Sequence, residues 1–388
     1  MVFRGRVACL GLSLSLGLWG CGTEPPTEAQ DSDSEGTGAT GDSTTEGPEV
    51  SPPPATDDTG VADDTGDSGD GESDDSGSDS TGPGQGPPLD DVLRMNHVQS
   101  KGTHNSYHVE PLIPFHPSHE YSHDPLPEQL DAHGVRTFEI DVHRNVDDTI
   151  TVYHILGIDQ ETTCETFQEC LQGIKEWSDE HPLHLPVVVW VEVKDDTGGI
   201  DMSSPQQLNR LDDIVNGVFP PDQLLTPDDV QGEYDSIRER LVTEGWPTLG
   251  EVRGTVLVTI LDGEHGEIYS EGYTTLAGRA MFVRVGGGEF DTPIAAIAKM
   301  GAGSGELADA HAQNMIIASN ICAADESDDD CFAQRQEAVD AGIHMLKDDY
   351  AAPVADREYW LDLPDGNPAQ CNPVTAPPEC TSVALEDL

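Results

Sequence analysis

Short apolar segments of strand length alternate with longer amphipathic segments from residue 89 to the end of the chain. A repeated strand–helix unit is typical of a parallel α/β sheet, and a long series of such units closes into a barrel. The link from His143 to Thr149 is too short for a helical crossover, so the strands on either side of it are predicted to form a hairpin. We therefore expect an α/β fold, an irregular TIM-type (β/α) barrel, over residues 89–388.

The predicted elements follow the periodicity of the apolar residues. The strands are predicted at His97–Gly102, Val135–Val142, Ile150–Tyr153, Val187–Val193, Thr255–Leu261, Ala280–Val285, Met315–Ala318 and Ile343–Leu346. The helices are predicted at Thr163–Asp179, Pro205–Val218, Tyr234–Glu244, Pro293–Lys299 and Cys331–Ala341.

Residues 1–20 have the organisation of a lipoprotein-type signal peptide. Arg4 and Arg6 precede an apolar run, Val7–Trp19, that is too short to cross a membrane as a helix. The tetrapeptide LWGC, which ends at Cys21, resembles the lipobox of bacterial lipoproteins and predicts acylation of that cysteine. Plain secretion is the alternative. The mature protein is thus expected outside the cytoplasm, either lipid-anchored to the bacterial cell envelope or secreted, without a transmembrane helix.

Residues 21–88 form an acidic segment rich in Gly, Ser, Thr and Pro, without Lys or Arg. Such a segment buries too little apolar surface to offset the entropy of ordering, which predicts a disordered acidic tether in front of the barrel. A calcium-binding repeat is the alternative for its Asp-rich tract, but the tract has no regular period.

The formal net charge of the chain is −56, and the acidic tether accounts for only part of it. A strongly acidic body is repelled by nucleic acid and by anionic lipid surfaces, so nucleic-acid binding is disfavoured. An anionic substrate would need a bound divalent cation or a saline medium to offset this repulsion.

The chain has eight cysteines. Cys9 belongs to the signal peptide and Cys21 to the lipobox, which leaves an even set of six. In an exported chain such a set predicts disulfides, although sequence alone leaves their connectivity open. A zinc site is the alternative, but no CxxC spacing supports it. Neighbours in sequence favour the pairs Cys164–Cys170, Cys322–Cys331 and Cys371–Cys380.

One stretch of the chain carries three polar signals, GTHNSYH, FEIDVH and TVYHILGID. Glu139 and Asp141 are two residues apart in a predicted strand, so both carboxylates leave the same face and repel each other. Together with Asn105 they offer the oxygen ligands that favour Ca²⁺ or Mg²⁺ over zinc. His104 and His154 lie in the same signals and are suited to move protons near neutral pH.

Polar residues follow other predicted strands as well. Glu192 and Lys194 end the strand Val187–Val193, and Asp349 follows the last strand. In parallel barrels the chemistry lies at the C-terminal ends of the strands, so these side chains are expected to converge at one mouth. Three basic residues could instead simply pair with nearby acids: Lys194, Arg284 and Lys347.

The motifs in this order resemble the calcium-dependent phosphatidylinositol-specific phospholipases C, especially the bacterial secreted branch. The resemblance covers Leu89 to about Pro353 and rests on GTHNSY, the E-x-D of FEIDVH, the VYH after the hairpin and the V-E-V of VVVWVEVKDD. The segment GIHMLKDDY is similar to the family's closing strand, which ends in Asp-Tyr.

The resemblance implies a phosphoric diester hydrolase of the TIM-barrel class that uses Ca²⁺ as its cofactor. His104 would contact the phosphoryl group and His154 would be the general acid, while either Glu192 or Glu139 would be the general base. The implied calcium ligands are Asn105, Glu139, Asp141 and Glu192. The candidate substrate contacts are Lys194, Arg284, Asp349 and Tyr350.

The reaction implied by the resemblance is cleavage of phosphatidylinositol, by attack of the inositol 2-hydroxyl, into diacylglycerol and an inositol phosphate. The expected enzyme is a monomer that meets its phospholipid at a membrane surface. The segment Thr255–Leu261 has no lysine, where relatives that cleave polyphosphorylated inositides carry basic residues. This favours an unphosphorylated headgroup. Met315–Asn320 also lacks the arginine of bacterial relatives, and Arg284 is a candidate replacement.

Two other functions fit the same residues. A glycerophosphodiester phosphodiesterase also uses a barrel, a metal and an E-x-D strand, but that family begins with a His-Arg-Gly signal where this chain has His104-Asn105-Ser106. A non-catalytic calcium-dependent lipid- or sugar-binding module on a surface tether is the other alternative, and the pair of histidines argues against it.

Overall fold

The computed structural model describes residues 89–195, 200–355, 357–366, 368–382 and 385–386. The predicted signal peptide, Cys21 and the acidic tether lie outside these residues, so they and the boundary at residue 88 stay predictions.

One mixed sheet organises the described part of the chain. Its strands are β1 (Val98–Thr103), β2 (Thr137–Arg144), β3 (Ile150–Val152), β4 (Val187–Val193), β5 (Val256–Ile260), β6 (Phe282–Val285), β7 (Ile297–Lys299), β8 (Ile316–Asn320), β9 (Met345–Asp348) and β10 (Ala369–Cys371).

Among the described residues, eight parallel strands close into a barrel in the order β1-β2-β4-β5-β6-β7-β8-β9. The barrel closes where β1 pairs with β2, at Gly102 and Thr137. A Cβ atom on Gly102 would lie 2.9 Å from the Cβ of Thr137, so this close approach of two strands requires glycine. The predicted TIM-type barrel is confirmed. The predicted hairpin is confirmed too, because β3 runs antiparallel to β2.

Helices cover the outside of the barrel. Helix α2 (Phe167–Glu180) begins directly after Thr166, which caps it. The Thr166 hydroxyl accepts from the Glu169 backbone N–H at 3.2 Å, and the Glu169 carboxylate accepts from the Thr166 N–H at 3.1 Å. No described helix is long and apolar enough to cross a membrane. The helices are α1 (Leu126–Asp131), α2 (Phe167–Glu180), α3 (Pro205–Val218), α4 (Pro227–Gln231), α5 (Ile237–Thr243), α6 (Leu249–Val252), α7 (Gly263–Tyr269), α8 (Leu307–Ala312) and α9 (Asp328–Asp340).

The predicted helix Pro293–Lys299 is wrong, because its second half is strand β7. The run Ile294–Ala298 is buried throughout, since a barrel strand is covered by neighbours on both faces. A short run made up only of apolar residues shows neither the period of a strand nor that of a helix. The helix was predicted because the run is rich in alanine, which has a high helix propensity. Strand β10, which covers the open side of β1, was not predicted either.

His344 ties the start of β9 to two other segments at the base of the barrel. Its Nδ1 accepts from the Ile317 backbone N–H at 3.1 Å, and its Nε2 donates to the Asn96 carbonyl at 3.1 Å. Burial, reinforced by the nearby His311 and His97, lowers the pKa of His344 to about 3. The folded protein therefore holds this imidazole neutral where the unfolded chain would protonate it.

We expect His344 to make the protein sensitive to acid. Because its pKa in the folded state lies below the usual 6.5, the stability it contributes is present above pH 6.5 and is lost as the pH falls towards 3. Between neutral pH and pH 4 this loss amounts to about 3 kcal/mol. Urea unfolding of the wild type and of His344→Gln across this range measures it. Equal pH dependence in the two proteins would contradict the assignment.

Candidate functional site

Three carboxylates meet at one mouth of the barrel. Glu139 and Asp141 project from the same face of β2, and Asp141 is level with Glu192 of β4. One oxygen from each of the three lies within 4.8 Å of the others. The spacing of E-x-D in the sequence and the register of two neighbouring strands therefore produce one acidic cluster.

Two lysines partly neutralise this acidic cluster. Lys347 of β9 forms an ion pair with Glu139 inside the barrel, and it lies 5.0 Å from the centre of the Trp190 ring. Burial lowers the pKa of Lys347 to about 8. Burial alone would raise the pKa of Glu139, but the ammonium of Lys347 holds it well below its usual range. The predicted alternative for Lys347, a pairing with a nearby acid, is confirmed.

Lys194 lies between the other two carboxylates. Its Nζ is 2.7 Å from Glu192 Oε1 and 3.4 Å from Asp141 Oδ2. Both carboxylate oxygens of Asp141 are nevertheless buried without a hydrogen-bond partner among the described residues. Burial and the charge of Asp141 raise the pKa of Glu192 to about 7. Negative charge at this point is therefore incompletely balanced by the chain itself.

Asn105 lies in the turn that follows β1 and is 4% exposed. Its φ of 41° is in the left-handed region, which asparagine tolerates better than most residues. The next residue, Ser106, anchors the turn to β2: its backbone N–H donates to the Glu139 carbonyl, and its hydroxyl accepts from the Glu139 N–H, both at 2.8 Å. This brings an amide side chain to the same strand as the carboxylates.

The donor set fits a hard divalent cation. Carboxylate and amide oxygens are the ligands that calcium prefers, and the unpartnered oxygens of Asp141 are the kind of group that a bound cation satisfies. Asn105, Glu139, Asp141 and Glu192 would hold it.

His104 is bound to a carboxylate on each side. Its Nδ1 lies 2.8 Å from Asp349 Oδ1, and its Nε2 lies 3.7 Å from Glu139 Oε1. Burial alone would lower its pKa, but the two carboxylates outweigh burial and raise the pKa of His104 to about 9. Asp349 is itself held by the Ala324 backbone N–H, which donates to its other oxygen at 2.8 Å. His104 is therefore a fixed, protonated imidazole at neutral pH.

His154 belongs to the turn after β3. Its Nδ1 lies 2.9 Å from Asp159 Oδ2, and its side chain is 25% exposed. Asp159 is fully buried and is also bound by His108 Nε2, at 2.9 and 3.0 Å. Although burial would raise the pKa of Asp159, the hydrogen bonds from His108 and His154 lower it. An ionised Asp159 fixes the Nδ1–H tautomer of His154 and leaves its Nε2 available.

One tyrosine lies close to both the aspartate that holds His154 and the acidic cluster. The Tyr121 ring stacks on His108, with the ring centres 4.3 Å apart, and burial, together with the charges of Asp349, Asp159 and Asp141, raises the pKa of its hydroxyl. The two histidines and the carboxylates of the sequence prediction thus come together at one mouth.

The other predicted substrate contacts are placed differently. Arg284 uses its Nε to donate to the Leu261 carbonyl at 2.6 Å. Tyr350 packs under the guanidinium of Arg357, which lies 4.2 Å from the ring centre, and its hydroxyl donates to Ala324 O at 3.4 Å. Neither contacts the acidic cluster through the bonds described, whereas Lys194 and Asp349 do so directly or through His104.

Sequence reasoning missed three residues of this mouth. Asp159 was inside the motif TVYHILGID but was given no role, although an acid five residues after a histidine in a turn is a usable signal. His119 comes from a separate loop, with its Nδ1 3.6 Å from Asp159 Oδ2. Lys299, at the end of β7, lowers the pKa of both Glu139 and Lys347, and the wrong helix prediction hid it.

All three predicted disulfides are confirmed. They are Cys164–Cys170, Cys322–Cys331 and Cys371–Cys380.

We expect Asp141→Asn to separate stability from cation binding. Removing a buried, repelled charge should stabilise the calcium-free protein by about 1 kcal/mol. The same change should remove most of the stabilisation that added calcium gives to the wild type, because a ligand carboxylate is lost. Thermal unfolding with and without calcium measures both effects, with Asp213→Asn on the exposed side of α3 as the matched control. An undiminished calcium effect in Asp141→Asn would place the cation elsewhere.

Comparison with known proteins agrees with the motifs. The profile of one family, phosphoinositide phospholipase C, Ca²⁺-dependent, matches residues 93–149 and 146–373. A calcium-dependent phosphoinositol-specific phospholipase C from a Pseudomonas species is similar in structure, with 20% sequence identity, a TM-score of 0.51, and coverage of 74% of this chain and 98% of that chain. A Ca²⁺-dependent phosphatidylinositol-specific phospholipase C from Streptomyces antibioticus has 17% identity, a TM-score of 0.53, and coverage of 67% and 96%. No curated protein matches in sequence.

The two kinds of match carry different weight. The structural likenesses, at these identities, establish the shared barrel fold. The family match covers most of the chain and includes all the residues of the acidic cluster. The resemblance drawn from the motifs is confirmed.

Proposed function

This chain belongs to the Ca²⁺-dependent phosphoinositide phospholipase C family, and on that premise we propose that it cleaves phosphatidylinositol, outside the cytoplasm, to diacylglycerol and an inositol phosphate. The observation that carries the proposal is the pairing of two histidines with two aspartates around one acidic cluster. His104 is bound to Asp349, and His154 to Asp159. A cationic and a proton-donating imidazole beside a cation site suit attack on a phosphodiester.

Calcium, when bound, would supply positive charge that polarises a phosphoryl oxygen and makes the attacking hydroxyl more acidic. Glu192 is the better candidate for taking the proton of the inositol 2-hydroxyl, since its side chain is 25% exposed at the end of β4. Glu139 is the poorer candidate, because its carboxylate is buried in an ion pair with Lys347 inside the barrel. Of the two bases that the resemblance left open, we therefore propose Glu192.

The two histidines have different roles at the phosphodiester. His104, protonated through its carboxylate partners, offers positive charge to the phosphoryl oxygens as negative charge develops on them. His154 donates a proton from Nε2 to the departing diacylglycerol oxygen, while its Nδ1–H stays bound to Asp159. The phosphorus–oxygen bond to the glycerol breaks as the bond to the inositol oxygen forms, so a cyclic inositol phosphate is the first product.

The headgroup is proposed to be unphosphorylated inositol. Strand β5 ends without a basic residue, and its inner side chain Thr259 is fully buried. Two of the cations at the mouth, Lys194 and Lys347, are engaged by carboxylates. Export is supported by the three disulfides, which persist in oxidising compartments. Acylation of Cys21 is part of the proposal.

We expect His154→Ala to lower turnover of phosphatidylinositol by about 10²- to 10⁴-fold, because one positioned proton transfer is lost. A calcium chelator should abolish turnover of the wild type. His133→Ala is the matched control, since His133 lies between α1 and the N-terminal start of β2, whereas the mouth is formed by the C-terminal ends of the strands. Release of diacylglycerol and inositol phosphate is measured for each protein.

Three outcomes would contradict this assignment. Unchanged turnover after either treatment would exclude the proposed acid or the proposed cation. Preference for deacylated glycerophosphodiesters over intact phosphatidylinositol would favour a glycerophosphodiester phosphodiesterase. Saturable lipid binding without turnover would favour a binding module.

Exposed apolar side chains next to His154 are proposed to contact the membrane that holds the substrate. They come from the loop that ends at His119 and from the turn after His154, and these two segments touch because the His119 and His154 rings are 5.5 Å apart. Apolar side chains beside a catalytic mouth are suited to insert into a lipid surface. The exposed residues are Leu112, Ile113, Phe115, Ile155, Leu156 and Ile158.

We expect the double change Ile113→Ser/Phe115→Ser to weaken vesicle binding at least about ten-fold, since a fully buried apolar side chain contributes about 1.5–3 kcal/mol. Turnover of a soluble short-chain phosphatidylinositol should be unaffected. Leu183→Ser is the control, because Leu183 is equally apolar and 57% exposed but precedes β4 at the other end of the barrel. Equal losses on vesicles and on the soluble substrate would contradict a membrane contact.

A further inference from the structure

Asp159 is surrounded by more imidazoles than the orientation of His154 requires. His108 Nε2 already holds both oxygens of its carboxylate, and His154 Nδ1 holds Oδ2 at 2.9 Å. A third imidazole, that of His119, comes within 3.6 Å of the same Oδ2 without forming a hydrogen bond to it. The contacts of His108 and His154 are enough to hold Asp159 ionised, so His119 has no evident part in them.

The Nδ1 atom of His119 is buried and has no hydrogen-bond partner among the described residues, and the whole residue is 8% exposed. The His119 ring is held beside His154, edge to face, with the ring centres 5.5 Å apart. Its backbone N–H is engaged by the His116 carbonyl at 3.0 Å, so the ring is fixed by a short turn. A buried ring nitrogen beside a carboxylate and another imidazole is expensive to leave without a partner.

We propose that His119, His154 and Asp159 form a second metal site, distinct from the acidic cluster, that takes Zn²⁺ or a similar borderline transition-metal ion. One ligand atom from each residue lies within 4.8 Å of the other two. Two imidazoles and one carboxylate, with a fourth position open to solvent through the half-buried His154, are a donor set typical of zinc. Calcium, which prefers oxygen ligands, would not compete well for it.

Among the described residues, a second cluster of potential metal ligands contains cysteine, but it is not free to bind a metal ion. Cys322, Glu326 and Cys331 also lie close together, but both thiols are consumed by a disulfide and cannot bind metal. Asp159 Oδ1 keeps its hydrogen bond from His108 Nε2 at 3.0 Å when Oδ2 turns to a metal ion, so the carboxylate stays anchored. Strong net negative charge of the chain favours accumulation of cations at its surface.

Occupation of this site through His154 Nδ1, the nitrogen that faces Asp159, leaves Nε2 with the proton of a neutral imidazole, which is a much weaker acid than an imidazolium. This consequence, unlike the site itself, rests on the proposed function, because it assumes that His154 is the general acid. Zinc is then an inhibitor whose effect calcium does not relieve, since the two ions use different residues.

The site is tested by titrating the calcium-saturated full chain with Zn²⁺ in a calorimeter, so that the acidic cluster is already filled. We expect the wild type to bind one zinc ion and His119→Ala to bind it at least about ten-fold more weakly. His116→Ala is the matched control, because His116 is an exposed histidine of the same turn and should leave zinc affinity unchanged. His119→Gln, which keeps the size of the side chain, repeats the test, and thermal unfolding checks that each variant is folded.

The inhibition is measured separately, as the ratio of turnover with zinc to turnover without zinc for each variant. The ratio should fall in the wild type and in His116→Ala, and should stay near one in His119→Ala. Equal zinc affinity in the wild type and in both His119 variants would overturn the site, as would loss of zinc binding when calcium is raised. Zinc binding that depends on His119 in a protein without phospholipase activity would support the site and refute the proposed function.

Discussion

Repulsion between carboxylates at one mouth of the barrel sets the conditions for the rest of the structure. Glu139, Asp141 and Glu192 offer oxygens within 4.8 Å of one another, and at that distance each pair of charges repels by about 3 kcal/mol in a protein interior. Two ion pairs reduce this repulsion, one between Lys347 and Glu139 and one between Lys194 and Glu192. Asp141 remains without a hydrogen bond among the described residues. The lysines of the chain thus balance part of this negative charge, and the proposed calcium ion would balance more of it.

The same mouth uses aspartates in two different ways. In the acidic cluster they supply unpaired charge, whereas Asp349 and Asp159 each hold one histidine in a single orientation. The four partners of these two pairs come from three segments, because His104 follows β1, Asp349 follows β9, and His154 and Asp159 share the turn after β3. Orientation by a buried carboxylate removes rotational freedom from an imidazole before substrate arrives, which is a direct contribution to rate.

Much of this arrangement could be predicted from the sequence because its signals are local. The spacing of Glu139 and Asp141 fixes their common face, and the parallel order of strands fixes which ends meet. The disulfides also followed from sequence proximity. Strand β7 could not be predicted, because an all-apolar run of alanine and isoleucine carries no period once both of its faces are buried. With β7 misread, the position of Lys299 at the mouth was lost as well.

The contacts that escaped prediction are those that depend on loops. Asp159 meets His108 across 51 residues of sequence, and His119 joins them from a third place in the chain. No periodicity connects such residues, since irregular segments are positioned by tertiary packing rather than by a repeating pattern. The sequence nominated His154 as an acid and offered Asp159 five residues later as a local signal, but the contacts of Asp159 with His108 and His119 are visible only in the folded chain.

The hydrogen bond from Ala324 to Asp349 links the disulfide chemistry of the chain to its histidine chemistry. Ala324 lies within the small loop that Cys322–Cys331 closes, and its N–H fixes the carboxylate that orients His104. Without that crosslink the loop would depend on the hydrogen bonds that Arg357 donates to the carbonyls of Ala324 and Glu326. A covalent bond far from the carboxylate cluster thus reinforces the backbone on which the orientation of one imidazole depends.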